Sequence, residues 1–399
     1  MSWRRLGLLA SLYLSQGLPF GFFTQALPLI MRKRGMSLEA IGLSSLLALP
    51  WALKFVWSPL VDRYGKKKSW ILPLQLLTAL TLVATALVKD AFAMVLASVL
   101  LTNLFCATQD IATDGLAVDM LTGRERGLAN GVQVAGYRVG MIIGGGLLLI
   151  LHERLGWAAT FYAMAAIVVV ASVPIALAHE PARAHGGAGE PARPPPHFFH
   201  FFARRGAWRI LLIALTYKVA EAFAAGMLRP YLADAGMTLA DVGWMLGTVG
   251  FVAGLAGAMF GGAFVNRLGR RRAMLAFGVL QTLTVALYVV AAKSPPDRTV
   301  LTALCALEHF ASGAATAALF TAMMDWSRKE TSATDYTVQA SAVVIANGAA
   351  ATVSGYSAAA FGYAGHFAIA TVFGVLSLVP VLLAFPRAED LDGPRVDAA

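Results

Sequence analysis

Twelve apolar segments, each near the ~20 residues that carry a helix across the hydrocarbon of a bilayer, confine this chain to a narrow set of folds. They run roughly over 6–31, 39–60, 70–88, 91–120, 127–151, 157–178, 208–232, 240–265, 273–292, 299–324, 335–361 and 364–385. Composition agrees. Of the residues, 58% are hydrophobic and 14% charged, with a mean hydropathy of +0.67, whereas soluble domains carry about 25% charged residues. The expectation is an all-α membrane protein of twelve transmembrane helices.

Lysine and arginine set the orientation of such a chain. With the N-terminus on the cytoplasmic side, the inside segments hold 21 basic residues, among them Arg4, Arg5, Arg63, Lys66, Lys67, Lys68, Arg267, Arg270, Arg271 and Arg272. The outside loops hold 7, of which Arg32, Lys33 and Arg34 form the one opposing cluster. Both termini therefore read as cytoplasmic. A net charge of +10 is then mostly topology, and it requires no nucleic-acid partner. Two arginines ahead of an apolar run resemble a signal peptide, but the run continues through Met31 and reads as helix 1. Cys106 and Cys305 both fall in apolar segments, with no disulfide framework and no metal-ligand spacing, and read as small packing residues.

The two halves of the chain repeat. Gly35-Met36-Ser37-Leu38-Glu39-Ala40-Ile41-Gly42 matches Gly236-Met237-Thr238-Leu239-Ala240-Asp241-Val242-Gly243, and the run from Asp62 through Lys68 matches the run from Asn266 through Arg272. Val132-Gln133 matches Val338-Gln339, and Asp119 falls opposite Asp325. Slowly drifting offsets over three helix pairs indicate a duplicated six-helix unit. The joint, Glu180 to Gly206, has five prolines and four glycines, a linker composition. The expected division is a six-helix bundle over 1–179, a cytoplasmic linker over 180–207, a second bundle over 208–386 and a tail over 387–399. The end of the linker, from His197 to Arg205, alternates aromatic and basic residues and suits a membrane surface, with aromatics in lipid and arginines at head groups; metal binding by its histidines is the other reading.

Inside the apolar segments, charge is concentrated at Asp110 and Asp114. An ionisable group at bilayer depth costs roughly 2.5–3.5 kcal/mol on insertion scales, so the pair needs a water-filled cavity, cationic partners or protonation. A spacing of four places both on one helical face. Lys54 and Arg138 are the nearest cations by helix order. One scheme has Asp114 carrying a proton while Asp110 is structural or binds solute, with Gln109 and Thr113 along the path, because desolvation raises an acid's pKa and a nearby cation lowers it. The alternative is a static ion-pair network that fixes helix packing. Gln16, Pro19 and Gln25 interrupt the first apolar segment, and Tyr13, Tyr137 and Trp244 are candidates to stack on a ring-bearing solute. Lys218 and Glu221 are spaced to pair with each other or to meet solute. Glycines 243, 247, 250, 254, 257 and 261, and glycines 136, 140 and 144, form smooth stripes expected to be sliding seams between the halves.

Parallel six-helix halves are the plan of the major facilitator superfamily, and the chain resembles that family in its motifs. The family's loop signature Gly-x-x-x-Asp-Arg-x-Gly-basic-basic is similar to the run from Ser58 through Lys68, with Ser58 at the glycine position; the second copy, from Gly262, has Asn266 at the acid. The resemblance implies that Asp62 and Arg63, and in the second copy Arg267, gate the cytoplasmic side. It also implies two pseudo-symmetric bundles, a cavity lined by helices 1, 4, 7 and 10, and a monomer; Glu308 and His309 on helix 10 thereby become solute-site candidates. The runs from Leu49 through Arg63, from Ala107 through Gly115 and from Gly136 through Met141 further resemble the muropeptide-permease and acetyl-coenzyme A transporter branch, which includes relatives similar to siderophore importers.

The expected function is that of a secondary active transporter of the inner membrane, coupled to protons, that imports a polar organic solute of muropeptide or siderophore type; proton-antiport efflux is the other direction. No phosphate-binding loop with a following Lys and Ser or Thr argues for ATP drive, and no cofactor or metal is expected. An intramembrane metal-dependent transferase using Asp110 and Asp114 fails on its motif, because Leu116-Ala117 stands where Ala-Arg would follow Asp114-Gly115.

Overall fold

The computed structural model describes residues 3–27, 30–31, 44–64, 66–88, 91–178, 199–294 and 296–386. The repeat copy at Gly35–Gly42, the cluster Arg32–Arg34, linker residues 180–198 and the tail 387–399 lie outside them. Every regular element among the described residues is helical, as lipid demands of a backbone that must satisfy its own polar groups. In chain order these are α1 (Trp3–Gly21), continuing as a π-helical stretch Phe22–Ala26; α2 (Leu49–Leu53) and α3 (Ser58–Arg63), flanking a tight turn; α4 (Lys67–Leu87); α5 (Phe92–Met120); α6 (Gly123–Ile142), continuing as π helix Ile143–Leu147; and α7 (Leu148–Leu177). The second repeat supplies α8 (Phe199–Phe202), α9 (Ala207–Thr216), α10 (Val219–Asp234), α11 (Leu239–Val242), π helix Gly243–Val249, α12 (Gly250–Leu268), α13 (Arg270–Lys293), α14 (Arg298–Asp325) and α15 (Ser332–Leu383).

Nine of the described helical stretches are long and apolar enough to cross a membrane. Ten of the twelve segments read from sequence fall on these nine stretches, whereas 127–151, which forms α6 and its π continuation, and 39–60 do not. At 52 residues, α15 would extend about 78 Å, far beyond the ~30 Å of hydrocarbon, and it folds back at Gly362, whose φ of 64° only glycine adopts freely. It therefore makes two crossings. Gly156, φ 82°, likewise interrupts α7, which contributes the single span Arg154–Leu177. The segment expected at 39–60 is broken into the short pieces around Pro50 and Pro59, as prolines that lack an N–H dictate.

By packing, the chain forms two compact units. One contains Met1–Leu121, Ala135–Phe198 and Lys329–Thr337; the other contains Thr122–Val134, Phe199–Arg328 and Val338–Ala399. These differ from the sequence repeats in two places, since each unit takes a short segment from the opposite repeat. In the first unit α1, α4, α5 and α7 pack around a core that includes Phe22, Trp157, Phe161 and Met164. In the second, α12, α13 and α14 pack closely, and α10 closes a core with Phe223, Tyr231, Tyr288 and Phe367.

The glycine stripes lie inside these units, which corrects the expectation of seams between halves. A Cβ on Gly136, Gly140 or Gly144 would fall 2.8, 2.4 or 1.9 Å from the carbonyl oxygens of Ala10, Leu14 and Leu18 on α1. On α12, a Cβ on Gly257 would fall 1.9 Å from the Phe310 carbonyl oxygen and one on Gly261 would meet Ala314 at 2.6 Å, whereas Gly243 and Gly247 face open space. Backbones this close gain van der Waals contact, which is what holds helices together where lipid removes the hydrophobic drive.

Candidate functional site

The polar residues of α5 turn into the first unit. Asp110, Thr113 and Asp114 are buried, with Asp114 2% exposed and Thr113 fully enclosed. Each carboxylate is met by a different donor. Asp110 forms an ion pair with Lys54 from the turn between α2 and α3, both side chains nearly dry, and the ammonium lies 5.7 Å from the centroid of the Trp51 ring. Asp114 accepts a hydrogen bond from the Tyr13 hydroxyl at 2.7 Å. Arg138, the other expected cation, is half-buried on α6 beside Tyr137, whose ring lies 5.7 Å from that of Phe20.

Amide side chains extend this cluster. Gln16 donates to Thr113 Oγ1 at 3.1 Å, and Gln75 and Gln109 both donate to Ser15 Oγ, at 3.1 and 3.2 Å, while Ser15 passes its own hydrogen to the Leu12 carbonyl. The amide oxygens of Gln16 and Gln75 are buried without a protein donor. Such atoms are rare, because each forfeits its hydration on burial. Gln25 lies in the π stretch after α1, and its side chain is outside the described set. Ser15 and Gln75 are not among the site residues expected from sequence. Gln75 carried a usable signal, as a polar amide in an apolar segment; Tyr13 was noticed only as a stacking group.

In the second unit, Lys218 and Glu221 pair with each other. The Ser312 hydroxyl donates to Glu221 Oε1 at 2.5 Å, and Lys218 Nζ also lies 3.3 Å from the Ser312 carbonyl and 3.4 Å from Gln281 Oε1. One turn earlier on α14, His309 Nδ1 lies 2.7 Å from Glu308 Oε2 and 2.9 Å from the Cys305 carbonyl, and its ring rests on Gly250. An apolar cavity of about 580 Å³ opens in this unit, lined by Val219, Phe223, Ala350, Val353, Phe361 and Phe373 among others. Among the described residues no cluster of three or more His, Cys, Asp or Glu is arranged to hold a metal ion.

The residues expected to gate divide differently. Asp62, 6% exposed, accepts from Lys67, from the backbone N–H and hydroxyl of Thr334 at 2.7 and 2.6 Å, and from the N–H of Ala333 at 3.3 Å. It thereby serves the start of α15, where orphan N–H groups and the helix dipole favour an anion. Arg63 and Arg267 stand outside such clusters, exposed, over the rings of Tyr64 and Phe264 at 5.1 and 5.3 Å. In the second unit Asp325 is the hub instead, binding Arg126 at 2.8 Å and Arg270 at 2.5 Å. Asp325 was visible in sequence as the repeat partner of Asp119; that Arg126 would reach it was not.

Comparison with known proteins places these features. The sequence model of the Major Facilitator Superfamily matches residues 9–228 and again 213–397, once per repeat. The anhydromuropeptide permease of Escherichia coli (strain K12) is 30% identical over 98% of this chain and 82% of its own length. Among solved structures, the Major Facilitator Superfamily transporter FucP in the outward conformation superposes with a TM-score of 0.74 at 15% identity, covering 96% of this chain and 99% of its own. The human organic anion transporter MFSD10 gives 0.71 at 15% identity, covering 96% and 100%. At such identities the structures share the fold alone.

Proposed function

Because the chain belongs to the Major Facilitator Superfamily and is a multi-pass membrane transporter, we propose that it imports a polar organic solute of the muropeptide class by proton-coupled alternating access. The observation that carries this reading is the enclosed cluster of Asp110, Asp114, Lys54, Tyr13 and Gln16. Asp110 is paired with the Lys54 ammonium. Asp114 accepts a hydrogen bond from the Tyr13 hydroxyl, and in this reading it is the carboxylate that exchanges a proton, with Arg138 as the second cation of the coupling scheme. The unsatisfied oxygens of Gln16 and Gln75 suit a solute rich in N–H and O–H groups. In the first unit Gln109, Thr113 and Tyr137 join the same polar cluster, and in the second unit Lys218, Glu221, Glu308 and His309 are the candidates for the carboxylate and amine groups of a peptide-bearing solute.

The muropeptide class is preferred to a siderophore-like solute on the strength of the permease relative at 30% identity over nearly the whole chain. Asp62 and Asp325 act as the gating acids, Arg63 and Arg267 as basic residues of the same loops. The preponderance of basic residues in alternate loops supports both termini in the cytoplasm and residence in the inner membrane. Uptake by reconstituted vesicles under an imposed pH gradient tests the scheme. Asp114→Asn is expected to abolish gradient-driven accumulation while solute exchange at equal pH persists. Undiminished pH-driven uptake by that variant would remove Asp114 from the coupling step.

A further inference from the structure

The stretch from Phe199 to Arg209, which runs from the end of the linker into the second repeat, has two faces of opposite character. One is locked into the second unit. Phe201 is fully buried, and Arg204, 5% exposed, donates from Nη1 to the Trp326 carbonyl at 2.8 Å while its guanidinium lies 5.6 Å from the Phe201 ring. This anchor ties the stretch to the end of α14. The other face carries Phe199, Phe202 and Trp208, exposed by 61, 51 and 60%, with the exposed Arg205 between them and the Arg209 guanidinium 5.5 Å from the Trp208 ring. Gly206, φ 76°, then turns the chain directly into the span that begins at Ala207.

The exposed face therefore sits where a helix enters the bilayer, the level at which aromatic rings settle among lipid head groups. Guanidinium groups there meet phosphate, which they bind through a planar fork of N–H donors. No carboxylate occurs between Phe199 and Arg209 to pair with the ammonium of a zwitterionic lipid. The charge balance selects an anionic head group. We propose that Phe199–Arg209 is a binding site for an anionic phospholipid, with Arg205 and Arg209 on its phosphate and Phe199, Phe202 and Trp208 against the upper acyl chain. The anchor through Phe201 and Arg204 makes occupancy stabilise the fold, since a ligand bound only by the folded state raises its unfolding temperature.

The test uses the purified full-length chain in detergent, titrated with phosphatidylglycerol or phosphatidylcholine, with lipid adducts counted by native mass spectrometry and unfolding temperature followed in parallel. Phosphatidylglycerol is expected to bind and to raise the unfolding temperature more than phosphatidylcholine. Arg205→Gln with Arg209→Gln should weaken phosphatidylglycerol about 30-fold, at about fivefold for each cation near a lipid surface, and cancel the thermal gain. Arg272→Gln, at an exposed arginine elsewhere, should change neither. Arg205→Lys with Arg209→Lys should keep most of the binding, and lipid-free unfolding temperatures should match across the variants, so that misfolding is separated from lost affinity. Equal binding of the two lipids, full retention of phosphatidylglycerol by the double glutamine variant, or its displacement by millimolar glycerol phosphate would overturn the proposal, the last by showing a site for free phosphate.

Discussion

Asp110 and Asp114 are one helical turn apart and meet different chemistry, one a lysine and the other a phenol. The difference has a stability consequence. Lys54→Met strands a buried carboxylate at Asp110, and removal of one partner of such a pair costs about 3–5 kcal/mol. Thermal unfolding should show that loss, and Lys54→Met combined with Asp110→Leu should recover most of it, because an apolar pair of similar volume replaces both charges. Gln16→Leu makes the opposite trade. It deletes an amide oxygen without a donor, an arrangement that costs on the order of 1–3 kcal/mol, so the variant is expected to unfold no earlier than the parent while binding solute more weakly. Early unfolding with unchanged solute affinity would instead mark Gln16 as a packing residue. The cost of charge at bilayer depth singles out Asp114 in the sequence of any fold; that Tyr13 is its hydrogen-bond donor is not readable there, because 101 positions of chain separate the two.

At the scale of elements, the stability of each unit rests on glycine contacts that leave no room for a side chain. Gly144→Leu and Gly257→Val each force atoms into a backbone carbonyl, and overpacking of this kind costs about 1–3 kcal/mol. Gly247→Ala, where nothing lies within 4 Å, should leave the unfolding temperature unchanged or raised. The start of α11 is secured by reciprocal hydrogen bonds. Asp241 Oδ2 accepts from the Thr238 N–H and hydroxyl at 3.1 and 2.7 Å, and Thr238 Oγ1 accepts from the Asp241 N–H at 3.1 Å. These bonds, with help from Arg298 at 2.8 Å, hold the Asp241 carboxyl below its ordinary pKa. A carboxyl depressed in the folded state stabilises it above the unfolded pKa of about 3.9 and loses that contribution as pH falls through the folded value. The difference in unfolding temperature between the parent and Asp241→Asn should therefore be present at neutral pH and shrink below about pH 4. The Thr238-x-x-Asp241 spacing is readable in sequence, whereas the π-helical stretches at Phe22–Ala26, Ile143–Leu147 and Gly243–Val249 have no spacing that marks them.

For the whole molecule, the exchanged segments matter most. Arg126, from the first repeat, belongs by packing to the second unit and binds Asp325 there, and Thr334, from the second repeat, belongs to the first and binds Asp62. Asp325→Asn leaves Arg126 and Arg270 without their shared carboxylate. The site is half-buried, so a loss of about 2 kcal/mol is expected, between the values for exposed and buried pairs, and thermal unfolding of the purified chain checks it. By itself the sequence determined the helical class of the crossings, the duplication and the two costly acids, because hydrocarbon imposes length, apolarity and charge penalties that act locally and need no knowledge of neighbours. Only the tertiary structure decided the partner of each acid, which glycines meet a backbone, and which short segments trade places between repeats. Those depend on side chains brought within hydrogen-bonding reach from distant positions, and neither the period nor the composition of a segment records what faces it.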